Sequence, residues 1–270
     1  VSVTGFGSDG PYVDRPGTDS VLQALSGLMV ANRDESGMPR KVGILMVDVV
    51  TGVYAANAAA TALYRRATQG KGAHVQVSLL EGAAAVQGNS IVDSVLGRGQ
   101  PPRPVSVPAG TFATADGFIN VTSLHDRMFA GLCRATGKDE WISDPRLASP
   151  QARFEHAAEI NQALAEVFRG NTNAHWLETL GRNDVICGPV CGYEDFLADP
   201  QVRHMGVFEQ VPHGGELPLP VPRVPGTPRD ARLTPAPRAG ADTRAVLAEL
   251  GLGAAEIAEL FEAGVVREPG

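Results

Sequence analysis

The sequence predicts an α/β fold divided into a parallel-sheet domain and a smaller α+β domain. Strand-like and helix-like patterns alternate through residues 1–97, an order typical of βαβ units on a parallel sheet. A stretch rich in Gly and Pro then interrupts the alternation and predicts a linker over residues 98–108. A hairpin pattern mixed with helical patterns follows over residues 109–205, and this mixture predicts the smaller α+β domain.

The composition is that of a folded globular protein, since 43% of the 270 residues are hydrophobic and 20% are charged. The net charge of −7 argues against a nucleic-acid binder, whose domains are usually basic, but allows an anionic small molecule held by a local cluster of Arg and Lys. Three scattered cysteines, Cys133, Cys187 and Cys191, provide neither a disulfide framework nor a zinc site, so we expect a reducing cytoplasm and no metal. We recognise no signal peptide and no apolar span of about 18 residues, and expect no membrane association.

The elements of the first domain follow in order. VSVTGF alternates as a strand does, and after a Gly/Pro loop TDSVLQALSGLM has the pattern of an amphipathic helix with Thr18 or Asp19 near its N-cap. A polar loop leads to the segment around Asp48, which opens a long Ala-rich helix ending at about Arg66. HVQVSL then predicts a second strand, and residues 79–96 predict a second long helix of small side chains.

The second domain begins with a predicted hairpin that turns at Asp116-Gly117. Its remaining elements are predicted helices near 126–136, 151–169 and 174–181, a short strand in VICGPVCG, and a short helix in YEDFLADPQVRH. The Pro-rich residues 206–240 predict an extended return segment with edge-strand character, because Pro cannot donate a hydrogen bond in a central strand. Two helices over residues 241–270 are expected to pack back on the first domain.

Asp48 is the strongest candidate for chemistry. It follows the apolar run VGILMV and precedes Gly52 and an Ala-rich helix, so it stands where a buried loop meets a helix start. A carboxylate near the N–H groups of a helix start stays ionised in dry surroundings and is then able to act as a nucleophile. The alternative from this segment alone is a simple helix N-cap.

The other motifs match nucleotide-binding and catalytic signatures poorly. Gly5, Gly7 and Gly10 have the spacing of a dinucleotide fingerprint, but Pro11 follows and the next helix begins only near Thr18. TQGKG lacks the features of a phosphate-binding P-loop and precedes a strand. No Ser-His-Asp, Cys-His or HExxH pattern is present. Asp19 stays ambiguous between a helix N-terminal carboxylate and a second acid beside Asp48.

Taken together, motifs along the whole chain resemble the class III CoA-transferase family, which includes carnitine dehydratase-like, 2-methylacyl-CoA racemase-like and formyl-CoA transferase-like proteins. No single motif is specific, but many stand in the family's order. They are VTGFGSDGPYVDRPGTD, VLQALSGLM, KVGILMVD with its following TG, YRRATQGKGAHVQVSLLEGA, GTFATADGFINV, CGPV, LADPQV and DTRAVLAELGL.

The resemblance implies a Rossmann-like large domain over residues 1–97, a small domain, and two chains interlocked as a homodimer. It places the family's nucleophilic aspartate at Asp48, which would attack an acyl-CoA thioester and pass through a mixed anhydride and an aspartyl-CoA thioester. Asp19 matches a family acidic position beside that nucleophile. Gly97, Arg98 and Gly99 resemble the flexible loop that covers the intermediate.

Coenzyme A is therefore the expected substrate carrier, with a carboxylic acid as the other substrate. Arg15, Arg98 and Arg103 are the best local candidates for holding its phosphates. Family chains begin well upstream of VSVTGF, so we expect either a longer protein or a separate chain that supplies the N-terminal third, and a central position for this strand in the complete sheet. The family's terminal G-E-H-T reads Gly240, Ala241, Asp242, Thr243 here.

A racemase of the same fold is the competing enzyme. Such an enzyme needs two acid/base groups flanking the α-carbon, and in the racemase branch a His precedes the acid that Asp19 matches. Here that residue is Thr18, whose hydroxyl cannot deprotonate a carbon acid. We therefore favour CoA transfer between carboxylic acids. An inactive fragment or subunit that only associates with other chains is the third alternative.

Overall fold

The computed structural model describes residues 1–34, 36–98, 106–212, 217–228 and 233–267. The chain divides into two compact units, Val1–Val105 and Ser106–Gly270. The predicted linker over residues 98–108 spans this division, although most of it lies outside the described residues. The finer domain boundaries stay a prediction.

The described part of the first unit contains two strands and five helices, a mixed α/β arrangement. The strands are β1 (Ser2–Thr4) and β2 (Gln76–Ser78); the helices are α1 (Asp19–Leu25), α2 (Leu28–Ala31), α3 (Met46–Gln69), α4 (Leu79–Val86) and α5 (Gly88–Leu96). The two strands pair in parallel, with Ser2 opposite Gln76 and Thr4 opposite Ser78. This pair has the predicted orientation. The central position of β1 stays a prediction, because among the described residues β1 pairs only with β2.

Four helices are interrupted where the sequence predicted continuity, two of them in the second unit: the predicted helix over 151–169 breaks at His156, and the one in YEDFLADPQVRH breaks at Asp199 before Pro200. The other two lie in the first unit. The predicted helix over 79–96 breaks at Gln87, whose backbone leaves the helical region at φ −110° and ψ 7°. Its side-chain amide donates to Ser26 Oγ and to the Ala83 carbonyl, each at 2.9 Å. The first amphipathic helix likewise breaks at Gly27, because Gly27 adopts φ 86°, which ordinary side chains disfavour.

Helix α3 is the longest element and packs closely on α4. A Cβ atom at Gly82 would lie 2.1 Å from Thr51 Oγ1, so the two helices approach at a point where no side chain fits. Thr51 is buried and its hydroxyl donates to the Val47 carbonyl at 2.7 Å. The helix ends at Gly70, which adopts φ 71° and donates its N–H to the Arg66 carbonyl. It thus extends a few residues beyond the predicted end at Arg66.

By length and composition alone, α3 is apolar enough to cross a membrane, with a mean hydropathy of 1.3. The sequence-based expectation that no such span occurs was therefore wrong. Seven of its 24 residues are Ala, which raise the mean hydropathy without adding large apolar side chains. A single helix of this kind is weak support for a membrane protein. The absence of a membrane partner stays a prediction.

The buried core of the first unit is small. It consists of Leu22, Val47 and Ala83, with Phe6 and Leu79 packed against them. Many large apolar side chains of α3 and α5 remain exposed, among them Val49, Val53, Leu63, Tyr64, Val95 and Leu96. These exposed side chains lie on helices of the unit with the smaller core, which makes them candidates for an interface with other polypeptide.

The second unit is built on a three-stranded antiparallel sheet with helices and a larger core. Strands β3 (Ala109–Ala113) and β4 (Phe118–Thr122) form the predicted hairpin, and β5 (Ile186–Pro189) pairs with β4. The helices are α6 (Asp126–Thr136), α7 (Pro150–Glu155), α8 (Ala157–Phe168), α9 (Asn173–Arg182), α10 (Tyr193–Ala198) and α11 (Pro200–Met205), with 3-10 turns at Asp139–Ile142 and Pro145–Leu147. Its core contains Ile119, Leu132, Leu164 and Phe168, all fully buried.

The remaining segments form a short hairpin and two terminal helices. In the Pro-rich segment, β6 (Phe208–Val211) pairs antiparallel with β7 (Leu219–Pro222) as a two-stranded sheet. Since both strands are edges, Pro220 and Pro222 are tolerated in β7. Helices α12 (Thr243–Glu249) and α13 (Ala254–Glu262) follow. Their packing on the first domain stays a prediction.

Candidate active site

Asp48 lies in the first turn of α3, as the sequence predicted. The helix begins at Met46, and the preceding residue, Leu45, has no side-chain oxygen with which to cap it. The Asp48 side chain is exposed. Its carboxylate has no hydrogen-bond or ion-pair partner among the described residues, so both oxygens are free to approach an electrophile.

The dry surroundings expected for this carboxylate are not formed by the described residues of the first unit. None of the described cavities is lined by Asp48. A cavity of about 350 Å³ in this unit lies farther along α3 against β2 and α4 and is lined in part by Tyr54 and Glu81. Any exclusion of water from Asp48 therefore involves groups other than the described residues of the first unit.

Asp19 supplies the cap that Leu45 cannot provide. Its side chain is buried, with 2% exposed, and its Oδ2 accepts from the Val47 amide at 2.8 Å and from the Asp48 amide at 3.4 Å. Helix α3 leaves its first N–H groups without partners inside the helix, and a carboxylate from α1 satisfies two of them. Of the two interpretations of Asp19, these contacts agree with a carboxylate at a helix N-terminus. The helix that it caps is α3, whereas Asp19 itself belongs to α1.

The other oxygen of Asp19 is also engaged. Oδ1 accepts from Gln23 Nε2 at 2.6 Å and lies 3.7 Å from Lys41 Nζ. Gln23 is fully buried one helical turn after Asp19, and its Oε1 accepts from the Val42 amide at 2.9 Å. The roles of Gln23 and Lys41 were not predicted from the sequence. The spacing of four residues between Asp19 and Gln23 places both on one face of α1 and could have indicated their contact.

The Gly-rich loop that precedes α1 has a structural explanation. Gly5 and Gly17 are in backbone contact, since a Cβ atom at Gly5 would lie 2.9 Å from the Gly17 Cα. Gly7 and Gly10 adopt φ values of 112° and 89°. The glycines thus close the loop and bring the chain back to α1 beside β1, which places Asp19.

The candidate CoA-binding residues are only partly described. Arg15 is exposed, with its guanidinium 3.9 Å from the centre of the Tyr12 ring. Gly97 ends α5, and Arg98 is exposed with φ 51°. Gly99 and Arg103 lie outside the described residues. No described contact joins Arg15 to Arg98, and the binding role of all five residues stays a prediction.

The described residues contain no group of three or more His, Cys, Asp or Glu side chains that could hold a metal ion. Near Asp48, the chain instead presents a carboxylate on a helix whose start is fixed by a second, buried carboxylate. The chemical roles of Asp48 and Asp19 stay predictions.

Comparison with known proteins adds a family and a fold. The family model described as CoA-transferase family III matches residues 1–243. The chain is 32% identical over 259 residues to a succinate–glutarate CoA-transferase of Agrobacterium fabrum, covering 92% of this chain and 64% of that protein. It is 30% identical over 274 residues to a succinyl-CoA:glutarate CoA-transferase of Homo sapiens, covering 98% and 63%.

A solved structure agrees with these sequence relatives. The crystal structure of a CAIB/BAIF family protein from Brucella suis matches with a TM-score of 0.78 and 30% sequence identity, covering 92% of this chain and 67% of that one. The mixed α/β fold is therefore shared. The chain spans somewhat less than two thirds of the length of the two curated relatives. Since the family model matches most of the chain and the relatives agree with it, the chain belongs to CoA-transferase family III.

Proposed function

We propose that the protein containing this chain transfers CoA between an acyl-CoA and a carboxylic acid, with Asp48 as the nucleophile. The observation that carries the proposal is the position of Asp48 in a family III chain. It stands in the first turn of α3 with a carboxylate free of partners among the described residues, while the start of that helix is fixed by Asp19.

The chemistry proceeds by two kinds of acyl exchange. An Asp48 oxygen attacks the thioester carbonyl carbon, the C–S bond breaks, and a mixed anhydride and CoA thiolate form. The thiolate attacks the Asp48 carbonyl carbon and releases the donor carboxylate, which leaves an aspartyl-CoA thioester. The acceptor carboxylate then attacks the carbonyl carbon of this thioester, which releases the CoA thiolate and forms a second mixed anhydride. The thiolate attacks the acceptor's carbonyl carbon in this anhydride, which forms the new acyl-CoA and frees the Asp48 carboxylate. No net proton, oxidant or metal is consumed.

Water must be kept from these intermediates, because an anhydride and an activated thioester both hydrolyse. The described residues of the first unit leave Asp48 exposed. We therefore propose that a partner chain in an interlocked homodimer, together with an N-terminal portion completing a Rossmann-like parallel sheet, covers it. Among the described residues, β1 pairs only with β2 and its Val3 is exposed, and both observations support this proposal. A reducing, cytoplasmic location is proposed from the three free cysteines.

The racemase alternative has no observation in its favour. The base that it would need stands at Thr18 in this chain, where a hydroxyl replaces the racemase branch's His. The neighbouring Asp19 is buried, and both of its oxygens accept hydrogen bonds, from the Val47 and Asp48 amides and from Gln23. For the acceptor, we propose a short dicarboxylic acid such as glutarate or succinate, the substrates in the names of the relatives from Agrobacterium fabrum and Homo sapiens.

Trapping tests the proposed nucleophile directly. The full protein is incubated with succinyl-CoA and hydroxylamine, which converts an activated aspartyl carbonyl into a hydroxamate. Peptide mass spectrometry is expected to locate the hydroxamate at Asp48 only when acyl-CoA is present. Labelling of another carboxylate, or none while CoA transfer proceeds, would contradict the assignment.

A further inference from the structure

We propose that Gln23 is a positioning residue for the reaction, because it orients the Asp19 carboxylate and fixes the segment that leads into α3. The inference rests on the proposed function of Asp48. Gln23 touches neither Asp48 nor the proposed substrates, and it acts through the backbone between the two helices.

The Gln23 amide forms three contacts from a fully buried position. Its Nε2 donates to Asp19 Oδ1 at 2.6 Å and to the Ile44 carbonyl at 3.3 Å. Its Oε1 accepts from the Val42 amide at 2.9 Å. One side chain of α1 therefore forms hydrogen bonds to two backbone groups of the segment 42–45 and to one oxygen of the carboxylate that caps α3.

The contact with Asp19 decides which way that carboxylate faces. With Oδ1 held by Gln23, Oδ2 faces the Val47 and Asp48 amides. The other partner of Oδ1 is Lys41, whose ammonium lies farther away, at 3.7 Å, is 39% exposed and donates to Ser20 Oγ. Without the Gln23 donor, Oδ1 keeps only this longer contact, so the carboxylate is held less firmly and the cap at the start of α3 weakens.

The cap matters for Asp48 because Asp48 is itself one of the capped residues. The backbone amide of Asp48 donates to Asp19, so the cap is formed at the residue that carries the reactive carboxylate. A shift in this first turn moves the reactive carboxylate by a similar amount. Since a misplacement of about 1 Å can cost about a hundredfold in rate, loss of Gln23 is expected to lower kcat more than it raises KM.

The test compares Gln23→Met, Gln23→Glu and a matched control, Gln87→Met, in the full protein. Gln87 is also buried in the first unit, where its amide donates to Ser26 Oγ and the Ala83 carbonyl, away from the segment 42–48. We expect Gln23→Met to lower kcat about tenfold to a hundredfold with little change in KM. We expect Gln87→Met to cost stability without this selective loss of kcat.

Gln23→Glu supplies a readout that a packing defect would not give. A Glu in this position faces Asp19 as a second buried carboxylate, and only its protonated form donates to Oδ1. The activity of Gln23→Glu relative to the native protein is therefore expected to rise as the pH is lowered. A ratio that does not change with pH, or a kcat loss in Gln23→Met no larger than in Gln87→Met, would overturn the inference.

Amide hydrogen exchange separates this inference from the proposed function. Faster exchange of the Val47 and Asp48 amides is expected in Gln23→Met but not in Gln87→Met, whether or not the protein transfers CoA. If trapping labels Asp48 while exchange at the start of α3 is unaffected by Gln23→Met, the function stands and the role of Gln23 falls. If exchange changes but no hydroxamate forms at Asp48 during transfer, the cap is real and the proposed nucleophile is wrong.

Discussion

The Asp19 carboxylate accepts a hydrogen bond from the Val47 amide at 2.8 Å, across 28 residues of sequence. A buried acid on α1 thereby caps a different helix, α3. The residue that the family resemblance marks as the nucleophile's acidic neighbour thus accepts hydrogen bonds from two backbone amides at the start of α3.

Replacement of Asp48 by Asn is expected to reduce CoA transfer by more than about a hundredfold, because no aspartyl intermediate can then form. Steady-state transfer assays in the full protein measure this loss. Since the Asp48 side chain is exposed, urea unfolding should change by no more than about 0.5 kcal/mol. Near-native turnover would remove Asp48 from the mechanism.

Asp19→Ala is expected to lower the free energy of unfolding by about 1–3 kcal/mol, since it removes a cap and leaves the buried Gln23 amide without its main acceptor. Urea denaturation followed by circular dichroism gives this value. Asp93→Ala, at an exposed position of α5, is the control and should change stability by less than about 0.5 kcal/mol. Equal effects of the two variants would show that the cap contributes little.

Gly82→Ala is expected to destabilise the first unit by about 1–3 kcal/mol, because the added methyl would meet Thr51 Oγ1. The matched control is Gly88→Ala in α5, where a Cβ atom meets nothing within 4 Å and stability should hold or rise slightly. Thr51→Ala combined with Gly82→Ala should recover part of the loss. An absence of recovery would mean that the clash is not with Thr51.

Because the Cys133 thiol is buried, we expect the folded protein to become less stable at alkaline pH. Burial raises the pKa of this thiol from 9.0 to about 12, with the charge of Asp139 as a smaller cause. The unfolded thiol ionises above about pH 9 while the folded one keeps its proton, so the unfolding free energy falls by up to about 1.4 kcal/mol per pH unit until the folded pKa is reached. Cys133→Ala should show a shallower alkaline slope, and an unchanged slope would contradict the assignment.

The protein is expected to form a homodimer or larger assembly at micromolar concentration. Helices α3 and α5 carry several exposed large apolar side chains, including Val49, Tyr64 and Val95, and exposed apolar surface of this kind marks protein–protein interfaces when it is contiguous. Light scattering gives the mass in solution. A stable monomer under these conditions would argue against the interlocked arrangement.

Local patterns predicted local elements well. The helix predicted near 126–136 occupies Asp126–Thr136, because both ends carry chemical stop signals: His125 Nδ1 accepts from the Met128 amide, and Gly137 adopts φ 67°. The hairpin at Asp116-Gly117 was predicted for a similar reason, since its turn residues and alternation agree. The position of Asp48 in a first helical turn followed from the change from an apolar run to an Ala-rich one.

The contacts that organise the candidate site were not predictable in the same way. The partners of Asp19 and Gln23 on the following segment are backbone groups of Val42, Ile44 and Val47, and a backbone group leaves no trace in residue type. The exposure of Asp48 was missed because an apolar flanking sequence predicts burial, whereas Ile44 and Leu45 are themselves exposed. The break at Gln87 was missed because Gln is a good helix former.

The loop between Gly5 and Gly17 closes where the backbones of these two residues touch. This closing point, the neck of the loop, has no room for a methyl group. Substitutions at the neck and at the tip should therefore differ in kind. At the neck, any side chain pushes apart the strand end and the approach to Asp19, whereas Ser8, Asp9 and Asp14 at the tip are exposed. The tip thus offers an attachment point for a spectroscopic reporter that would test the proposed binding of CoA near Arg15 and leave the anchoring of α3 undisturbed.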